Sequence, residues 1–535
     1  MIPVLSAPPP APGSFLYPSS QIEKNRDITD MDVSAIKSSK QVEKPVSKAP
    51  NVCGEINPYI NGVYIASSGT KKLQLVNPAT GQSTIKIPAG TELDALRAVA
   101  SAKAAFMDGP WHAMSNSSRC AILHKFSRLV DQHATELDRL DALDMGKPIS
   151  IEFANAAASA GLIRYCADAV ENIISSAYSS DKSCFIAQQR VPRGVVAAVV
   201  PWNFPTMSAV SKIAPALAVG NTVVLKPSEY SPRSAARLAE LATEAGLPSG
   251  VLNVVQGSGD VVAKTLALHQ DVNMIAFTGS TVVGKLILQH AGQSNMKVAH
   301  VECGGKSPQI VFADCHNLNE VADNIAELIL LNQGQLCVTG SRILVEQKVE
   351  LPLIAKIVER LKKVVPGDPL DPTISYGPMA NKQQMEKVLS YIENGSNTAT
   401  LMFGGRRLLP KSGGYFVEPT IFGNVDRDDP LFQHEIFGPV LTFTRFRTVE
   451  EAIQIANDTP YGLAAYVWTT NLNNGLRLSK EVQAGMVTVN GSLPKGEGSE
   501  AISTEPYGQS GVGTEFGLAG LESYTRAQVG WFNHG

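Results

Sequence analysis

The middle of the chain alternates short runs of apolar residues with segments in which apolar residues recur every three or four positions. A strand without polar alternation is buried on both faces, as in a parallel sheet between two layers of helices. The alternation therefore predicts repeated strand–helix–strand units and a doubly wound α/β fold. The predicted strands are residues 195–200, 222–225, 251–255, 274–277 and 309–312.

A second set of apolar runs occupies residues 342–345, 465–468 and 486–489, beside helical patterns at 349–364 and 450–456. This second set predicts a second α/β domain.

Helices that cover a sheet are also predicted nearer the N-terminus. Apolar residues recur at helical spacing over residues 93–105 and 118–143. Farther along, Ser231 and Pro232 are typical of the start of a helix, and Gly246 is typical of its end.

Composition narrows the class of protein. Of 535 residues, 44% are hydrophobic and 18% are charged, which indicates a soluble globular chain. The formal net charge of −3 gives no reason to expect a nucleic-acid partner. No apolar stretch approaches the ~18 residues that cross a bilayer, and no secretory signal is recognisable at the start. We therefore expect a cytoplasmic protein without a membrane or nucleic-acid partner. Residues 1–50, rich in proline and polar residues, are expected to form a flexible arm.

The seven cysteines include no C-x-x-C pair or other metal-ligand spacing. Neither a disulfide framework nor a metal site is expected, and a reducing compartment is favoured. One cysteine, Cys337, lies among glycines and amides in NQGQLCVTG. A thiolate can be activated as a nucleophile in such a setting, and a small buried residue is the alternative interpretation.

Two polar residues could assist a nucleophile. Glu302 precedes a glycine pair in VECGGKS and could act as a general base towards water; a solvated strand-end carboxylate is the alternative. Asn203, in PWNFP, could donate its amide to a developing oxyanion; a turn-forming asparagine is the alternative.

Two other segments could bind a dinucleotide. AFTGSTVVG joins an apolar run to a helix through Gly279, Ser280 and Gly284, and a helix N-terminus there could receive a pyrophosphate. Lys226 and Glu229 follow another strand, where they could hydrogen-bond ribose hydroxyls. An ordinary strand-to-helix turn and a surface charge pair are the respective alternatives.

Seven motifs together resemble those of the NAD(P)-dependent aldehyde dehydrogenases, from about residue 55 to the C-terminus. The motifs, in family order, are PWNFP, LKPSE, FTGSTVVG, ECGGKSP, NQGQLCVTGSR, EIFGPV and NDTPYGL. The resemblance implies oxidation of an aldehyde to a carboxylic acid through a thiohemiacetal and a thioester, hydrolysed by glutamate-activated water. It implies the catalytic residues Cys337, Glu302, Asn203 and Lys226. It implies the cofactor-binding residues Trp202, Lys226, Ser228, Glu229, Gly257, Gly279, Ser280, Gly284, Glu435 and Phe437.

NAD is the expected cofactor because the carboxylate of Glu229 repels a 2′-phosphate, although the family also includes enzymes that accept NADP. The family also implies two doubly wound α/β domains and a small β oligomerisation element, assembled as a homodimer or homotetramer. The expected boundaries are 51–178 with 194–302 for the Rossmann-type NAD-binding domain, 303–508 for the catalytic domain, and 179–193 with 516–535 for the oligomerisation element.

Within the family, the segments 250–255, 294–297 and 310–315 are most similar to enzymes that oxidise γ-glutamyl-γ-aminobutyraldehyde and other ω-amino aldehydes. Ser211 replaces a bulky aromatic residue that many members place beside the aldehyde tunnel. The segment 491–505, near the tunnel mouth, is long and acidic. We expect it to favour aldehydes with a distal cation; a solvated variable loop is the alternative.

The resemblance leads to one further expectation, and two alternative functions remain open. Cys303, next to the expected base, should serve only in packing. A catalytically silent structural or binding protein on the same scaffold is one alternative function. A semialdehyde or coenzyme-A-acylating dehydrogenase is another, and it is disfavoured because Glu302 supports hydrolysis.

Overall fold

A computed structural model of the chain describes residues 56–178, 183–493 and 499–533. The strands in these residues are β1 (Tyr59–Ile60), β2 (Val63–Tyr64), β3 (Lys72–Asn77), β4 (Gln82–Pro88), β5 (Ser176–Tyr178), β6 (Cys184–Pro192), β7 (Val195–Val199), β8 (Thr222–Lys226), β9 (Leu252–Val254), β10 (Met274–Thr278), β11 (Val298–Glu302), β12 (Pro308–Val311), β13 (Arg342–Glu346), β14 (Thr400–Phe403), β15 (Thr420–Gly423), β16 (Val440–Phe446), β17 (Tyr461–Gly462), β18 (Ala464–Trp468), β19 (Met486–Val489), β20 (Tyr507–Gly508), β21 (Gly511–Val512) and β22 (Thr525–Asn533). The α-helices are α1 (Glu92–Met107), α2 (Asn116–Gln132), α3 (Ala134–Met145), α4 (Ala156–Ala169), α5 (Pro205–Ala218), α6 (Arg233–Ala245), α7 (Lys264–Leu268), α8 (Thr281–Gln293), α9 (Leu318–Leu330), α10 (Glu350–Leu361), α11 (Lys382–Thr398), α12 (Pro430–Gln433), α13 (Val449–Asn457), α14 (Leu472–Glu481) and α15 (Gly517–Ser523).

The first large sheet has the strand order β2-β1-β9-β8-β7-β10-β11-β21. Its central strands, from β9 to β11, are parallel. All residues of β7 and β8 are buried, because apolar clusters cover both faces of the sheet. The chain runs outward from β7 to β9 and returns to β10 beside β7, which creates a topological switch point between β7 and β10. Ligands of doubly wound sheets bind at such a point, outside the carboxyl ends of the strands.

The second large sheet has the order β14-β15-β16-β13-β12-β18-β19 and is parallel apart from the edge strand β14. Apolar clusters cover both of its faces as well. The predicted fold class, α/β with two doubly wound sheets covered by helices, is confirmed. The strands predicted from apolar runs match the observed ones to within one residue at each end.

A third sheet, with the order β22-β6-β5, is antiparallel. The strand β22 pairs with β6 over nine residues, from Thr525 opposite Pro192 to Asn533 opposite Cys184. Both strands lie in segments expected to form the oligomerisation element. The strand β5, at Ser176–Tyr178, adds a third strand from outside those segments.

The apolar pattern predicted to be helical over 118–143 spans two helices, because His133 ends α2 and begins α3. Both helices pack their apolar faces inward, so the pattern continues across the break. The prediction that Ser231 caps a helix with Pro232 in its first turn was wrong, because α6 begins at Arg233 after Pro232. The carboxylate of Asp144 accepts the backbone N–H of Arg233 instead, at 3.3 Å. Gly246 does end this helix in the left-handed conformation, with φ 103°.

Candidate active site

Residues expected to act in catalysis come together at the carboxyl edge of the first sheet. Lys226 and Glu302 are the last residues of β8 and β11. Asn203 follows β7, and Gly279 follows β10. Parallel strands end at the same edge, so the topology alone makes these residues neighbours.

The segment before Cys337 has an unusual backbone. Asn332, Gln333 and Gly334 have φ values of 46°, 57° and 69°, in the left-handed region that disfavours residues with a Cβ atom. The side-chain amide of Asn332 donates to the backbone O of Asn203 at 2.8 Å. Backbone strain that the surroundings hold in place is typical of functional sites.

Asn203 contacts the segment that carries the cysteine. Its Nδ2 donates to the backbone O of Gln335, two residues before Cys337, at 3.1 Å. The side chain is 7% exposed, so the amide points into the protein. Nucleophile and expected oxyanion donor are therefore held on adjoining segments.

Desolvation controls the protonation of Cys337 and Glu302. Burial, together with the charges of Glu435 and Glu302, raises the pKa of the Cys337 thiol to about 12. Burial also raises the pKa of Glu302 to about 7, an effect opposed by Lys212 and reinforced by Glu505. Among the described residues, Oε1 of Glu302 is buried without a hydrogen-bond partner, which leaves it available to a water molecule.

Sequence reasoning missed Lys212 and Glu515. Lys212 lies on α5, is fully buried and forms an ion pair with Glu515. Burial lowers the pKa of Lys212 to about 8, against the opposing effects of Glu302 and Cys337. The available signal was a single lysine in the otherwise uncharged helix PTMSAVSKIAPALA. The partner of that lysine, 303 residues away, left no local signal.

The expected ribose ligands also form a pair. Nζ of Lys226 lies 3.1 Å from Oε2 of Glu229, in a salt bridge at the end of β8. Glu229 is 35% exposed on its side chain, whereas Lys226 is buried. Ser228 lies between them, but its hydroxyl accepts the N–H of Tyr230 at 3.3 Å and so shapes the turn.

Helix α8 begins where a pyrophosphate is expected. Ser280 is its N-cap, and the hydroxyl accepts the N–H of Val283 at 3.4 Å. The first N–H groups of a helix have no intrahelical acceptor, so those of Thr281 and Val282 are left for an anion. A Cβ atom on Gly284 would lie 2.5 Å from the sulfur of Cys303, so glycine permits close packing of α8 on β11. Cys303 is buried in this contact, which supports the expectation that it serves in packing.

Gly257 and Gly279 are also tightly packed. A Cβ atom on Gly257 would lie 2.6 Å from a methyl group of Val262, and one on Gly279 would lie 2.5 Å from the ring of Phe277. Both glycines therefore permit turns after strands. Gly259, by contrast, faces open space.

The expected nicotinamide end of the cleft is formed by Glu435, Phe437 and Trp202. Oε1 of Glu435 accepts the backbone N–H of Gly305 at 3.2 Å. Burial raises the pKa of Glu435 to about 6. The rings of Trp202 and Phe437 meet edge to face, with centroids 5.4 Å apart.

A dinucleotide fits three features of this edge of the sheet. They are the Lys226–Glu229 pair, the N–H groups of Thr281 and Val282 at the start of α8, and the carboxylate of Glu435. Within residues 56–178, 183–493 and 499–533, no three His, Cys, Asp or Glu side chains converge on a metal position. In the same part of the chain, no helix has the length and apolarity needed to cross a membrane.

A cysteine segment held by an amide donor, together with a buried carboxylate and residues that fit a dinucleotide, is typical of cysteine-dependent dehydrogenases. The chain belongs to the aldehyde dehydrogenase family, whose model matches residues 64–529. A relative from Escherichia coli (strain K12), the NADP/NAD-dependent aldehyde dehydrogenase PuuC, is 40% identical over 487 residues, covering 91% of this chain and 97% of its own.

Two solved structures share the fold at a TM-score of 0.87. One is an indole-3-acetaldehyde dehydrogenase in complex with NAD+, 43% identical, with 90% of this chain and 97% of the other covered. The second is the γ-glutamyl-γ-aminobutyraldehyde dehydrogenase from Burkholderia cenocepacia J2315, also 43% identical with 90% and 97% coverage. The two substrates differ in charge and aromaticity, so overall identity does not select a substrate for this chain.

Proposed function

We propose that this protein oxidises an aldehyde to the carboxylic acid with NAD, with Cys337 as the nucleophile. The observation that carries the proposal is the hydrogen bond from Asn203 to Gln335, which fixes an amide donor beside the cysteine segment. The Cys337 sulfur attacks the aldehyde carbon to form a thiohemiacetal. The amide of Asn203 and the backbone N–H of Cys337 stabilise the oxyanion, each contributing about 3 kcal/mol when well aligned.

NAD, when bound, would supply the acceptor for the hydride of the thiohemiacetal. Lys226 and Glu229 would hold the adenine ribose, the first turn of α8 would hold the pyrophosphate, and Glu435 would hold the nicotinamide ribose. Oxidation leaves a thioester on Cys337. Glu302 then removes a proton from a water molecule, which attacks the thioester and releases the acid. The unpartnered Oε1 of Glu302 supports this role.

The test follows NADH absorbance with a panel of small aldehydes. Cys337→Ala should abolish turnover while NAD still binds, and Cys303→Ala should keep most of it. NAD binding without turnover by the unaltered protein would favour a structural or binding role on the same scaffold. Turnover that requires coenzyme A would favour an acylating dehydrogenase.

For the substrate, we propose an ω-amino or γ-glutamylamino aldehyde. Ser211 lines a recess together with Tyr165, Cys166 and Glu515. Burial and the charge of Glu500 together raise the pKa of Cys166 to about 12, so this carboxylate acts on the wall of the recess. A second carboxylate from the same stretch, Glu505, acts on Glu302. Negative charge there favours the ammonium group, which an ω-amino aldehyde and a γ-glutamylamino aldehyde both carry.

An ω-amino aldehyde should exceed the unsubstituted aldehyde of the same length by roughly tenfold in kcat/KM. Glu500→Gln should reduce that preference. Equal efficiencies for the two aldehydes would contradict this substrate assignment and leave the oxidation of aldehydes intact.

We also propose a homodimer or homotetramer in the cytoplasm. The three-stranded sheet exposes Phe185, Trp531 and Phe532 at 47%, 66% and 56%, more apolar surface than a monomeric sheet usually leaves in water. Reducing conditions suit a free catalytic thiol. Sedimentation velocity tests the assembly, and Trp531→Asp should shift the protein towards monomer.

A further inference from the structure

The helix that follows the Asn203 loop has no cap of its own. Helix α5 begins with Pro205, which lacks an N–H, and its N-cap Phe204 provides no side-chain acceptor. The N–H of Ser208 donates to the backbone O of Phe204 at 2.8 Å. The N–H of Thr206 is thus the first donor of the helix that needs an acceptor from elsewhere.

Asp141, on helix α3, supplies that acceptor. Its Oδ2 accepts the N–H of Thr206 at 3.2 Å, and the residue is 1% exposed. Burial raises the pKa of Asp141 to about 7, while Ser234, Lys147 and Thr206 counteract the rise. A carboxyl oxygen can accept this N–H in either protonation state, so the contact persists across neutral pH.

The capped residue lies three positions after Asn203. On the other side of the loop, the Asn332 amide holds the backbone O of Asn203 at 2.8 Å. Between the two anchors, the ring of Phe204 packs edge to face on Phe153 with centroids 5.7 Å apart. The side chain of Asn203 therefore projects from a loop that is fixed at both ends.

We propose that Asp141 is a positioning residue for the oxyanion donor, acting on Asn203 by anchoring the first turn of α5. The proposal rests on the proposed function of Asn203. Misplacing a positioned group by about 1 Å can lower a rate by up to about a hundredfold.

The same helix provides a matched control. Asp144 lies one turn after Asp141, is also buried, and accepts the N–H of Arg233 at the start of α6. It caps a neighbouring helix by the same means, and it also forms a buried ion pair with the Arg233 guanidinium. Helix α6 does not follow the Asn203 loop, so Asp144→Ala tests the loss of a buried capping carboxylate without the link to the oxyanion donor.

The experiment measures the pre-steady-state burst of NADH, the NAD dissociation constant and the melting temperature of the full chain. Asp141→Ala should lower the burst rate roughly tenfold with little change in NAD affinity. Asp141→Asn, which keeps an oxygen acceptor, should stay within about threefold of the unaltered protein. Asp144→Ala, which also removes the ion pair with Arg233, should lower the melting temperature at least as much as Asp141→Ala but leave the burst rate within about twofold.

A double-mutant cycle separates positioning from general stability. If Asp141 acts through Asn203, Asp141→Ala should cost less than about twofold in an Asn203→Ala background. A tenfold loss in both backgrounds would overturn the proposal, as would equal losses in Asp141→Asn and Asp141→Ala. If Asp141→Ala fails to fold, Asp141→Asn and Asp141→Ser complete the comparison. A burst rate that follows the melting temperature of these variants, and not the presence of an oxygen acceptor at position 141, would then overturn the proposal. Absence of aldehyde oxidation by the unaltered protein would instead refute the proposed function, and this proposal with it.

Discussion

Replacement of Glu302 by glutamine separates the two halves of the proposed reaction. Glutamine keeps the shape of the side chain but cannot accept a proton from water. Formation of the thioester on Cys337 precedes the hydrolytic step, so the first turnover should survive. Hydrolysis should slow by roughly 10²- to 10⁴-fold, which is the usual contribution of a general base.

The structure also sets the pH dependence of this step. Glu302 must be ionised to accept a proton, and burial raises its pKa to about 7. The steady-state rate of the unaltered enzyme should therefore rise with pH through neutrality. For one group of that pKa, the ionised fraction grows from roughly one tenth at pH 6 to roughly nine tenths at pH 8, an increase of about tenfold. Glu302→Gln should lack this limb.

Stopped-flow NADH absorbance measures both steps, with Cys337→Ala as the reference that gives no burst. The expected record for Glu302→Gln is a burst of about one NADH per active site followed by a nearly flat steady state. An unchanged steady-state rate would refute the assignment of Glu302 as the base. Loss of the burst together with the steady state would show that Glu302 is needed to form the thioester, which the proposed division of labour does not allow.

Four other substitutions give results of known sign. Lys212→Met removes a cation that lowers the pKa of Glu302, so the rise of the steady-state rate should shift to higher pH. Glu505→Gln removes a charge that raises this pKa, so the rise should shift to lower pH. Steady-state pH profiles measure both shifts. Glu229→Gln removes the carboxylate that faces a 2′-phosphate, so kcat/KM with NADP should rise roughly tenfold, and an unchanged NADP/NAD ratio would contradict the argument. Ser211→Phe should fill the recess and lower kcat/KM for an ω-amino aldehyde roughly tenfold, with acetaldehyde as the control substrate.

The buried strands were predictable because their pattern is set by neighbours in sequence. A strand such as β7, which is covered on both faces, is made of apolar residues, and its sequence VVAAV shows this pattern. The break between α2 and α3 at His133 was not predictable from the apolar pattern, because two helices that face one core share a continuous pattern.

Residues whose role depends on a distant partner could not be found this way. The effect of Lys212 on the site depends on its ion pair with Glu515 and on its charge interaction with Glu302. The proposed effect of Asp141 depends on its hydrogen bond with the N–H of Thr206. Within its own helix, Asp141 resembles any acidic residue of an amphipathic segment. The fold creates these contacts, so they became visible only in three dimensions.

The electrostatics of the site constrain the order in which protons move. Burial keeps the Cys337 thiol protonated at neutral pH, and the pKa of Glu302, at about 7, lies well below that of the thiol. Transfer of the thiol proton to Glu302 before attack is therefore unfavourable. Attack on the aldehyde places the new charge on the carbonyl oxygen, where Asn203 and the Cys337 N–H can donate to it. The thiol should consequently pass its proton to a water molecule as the carbon–sulfur bond forms, so a solvent isotope effect is expected on the burst phase of the unaltered enzyme. A burst insensitive to deuterated water would place thiolate formation before the attack and contradict this order.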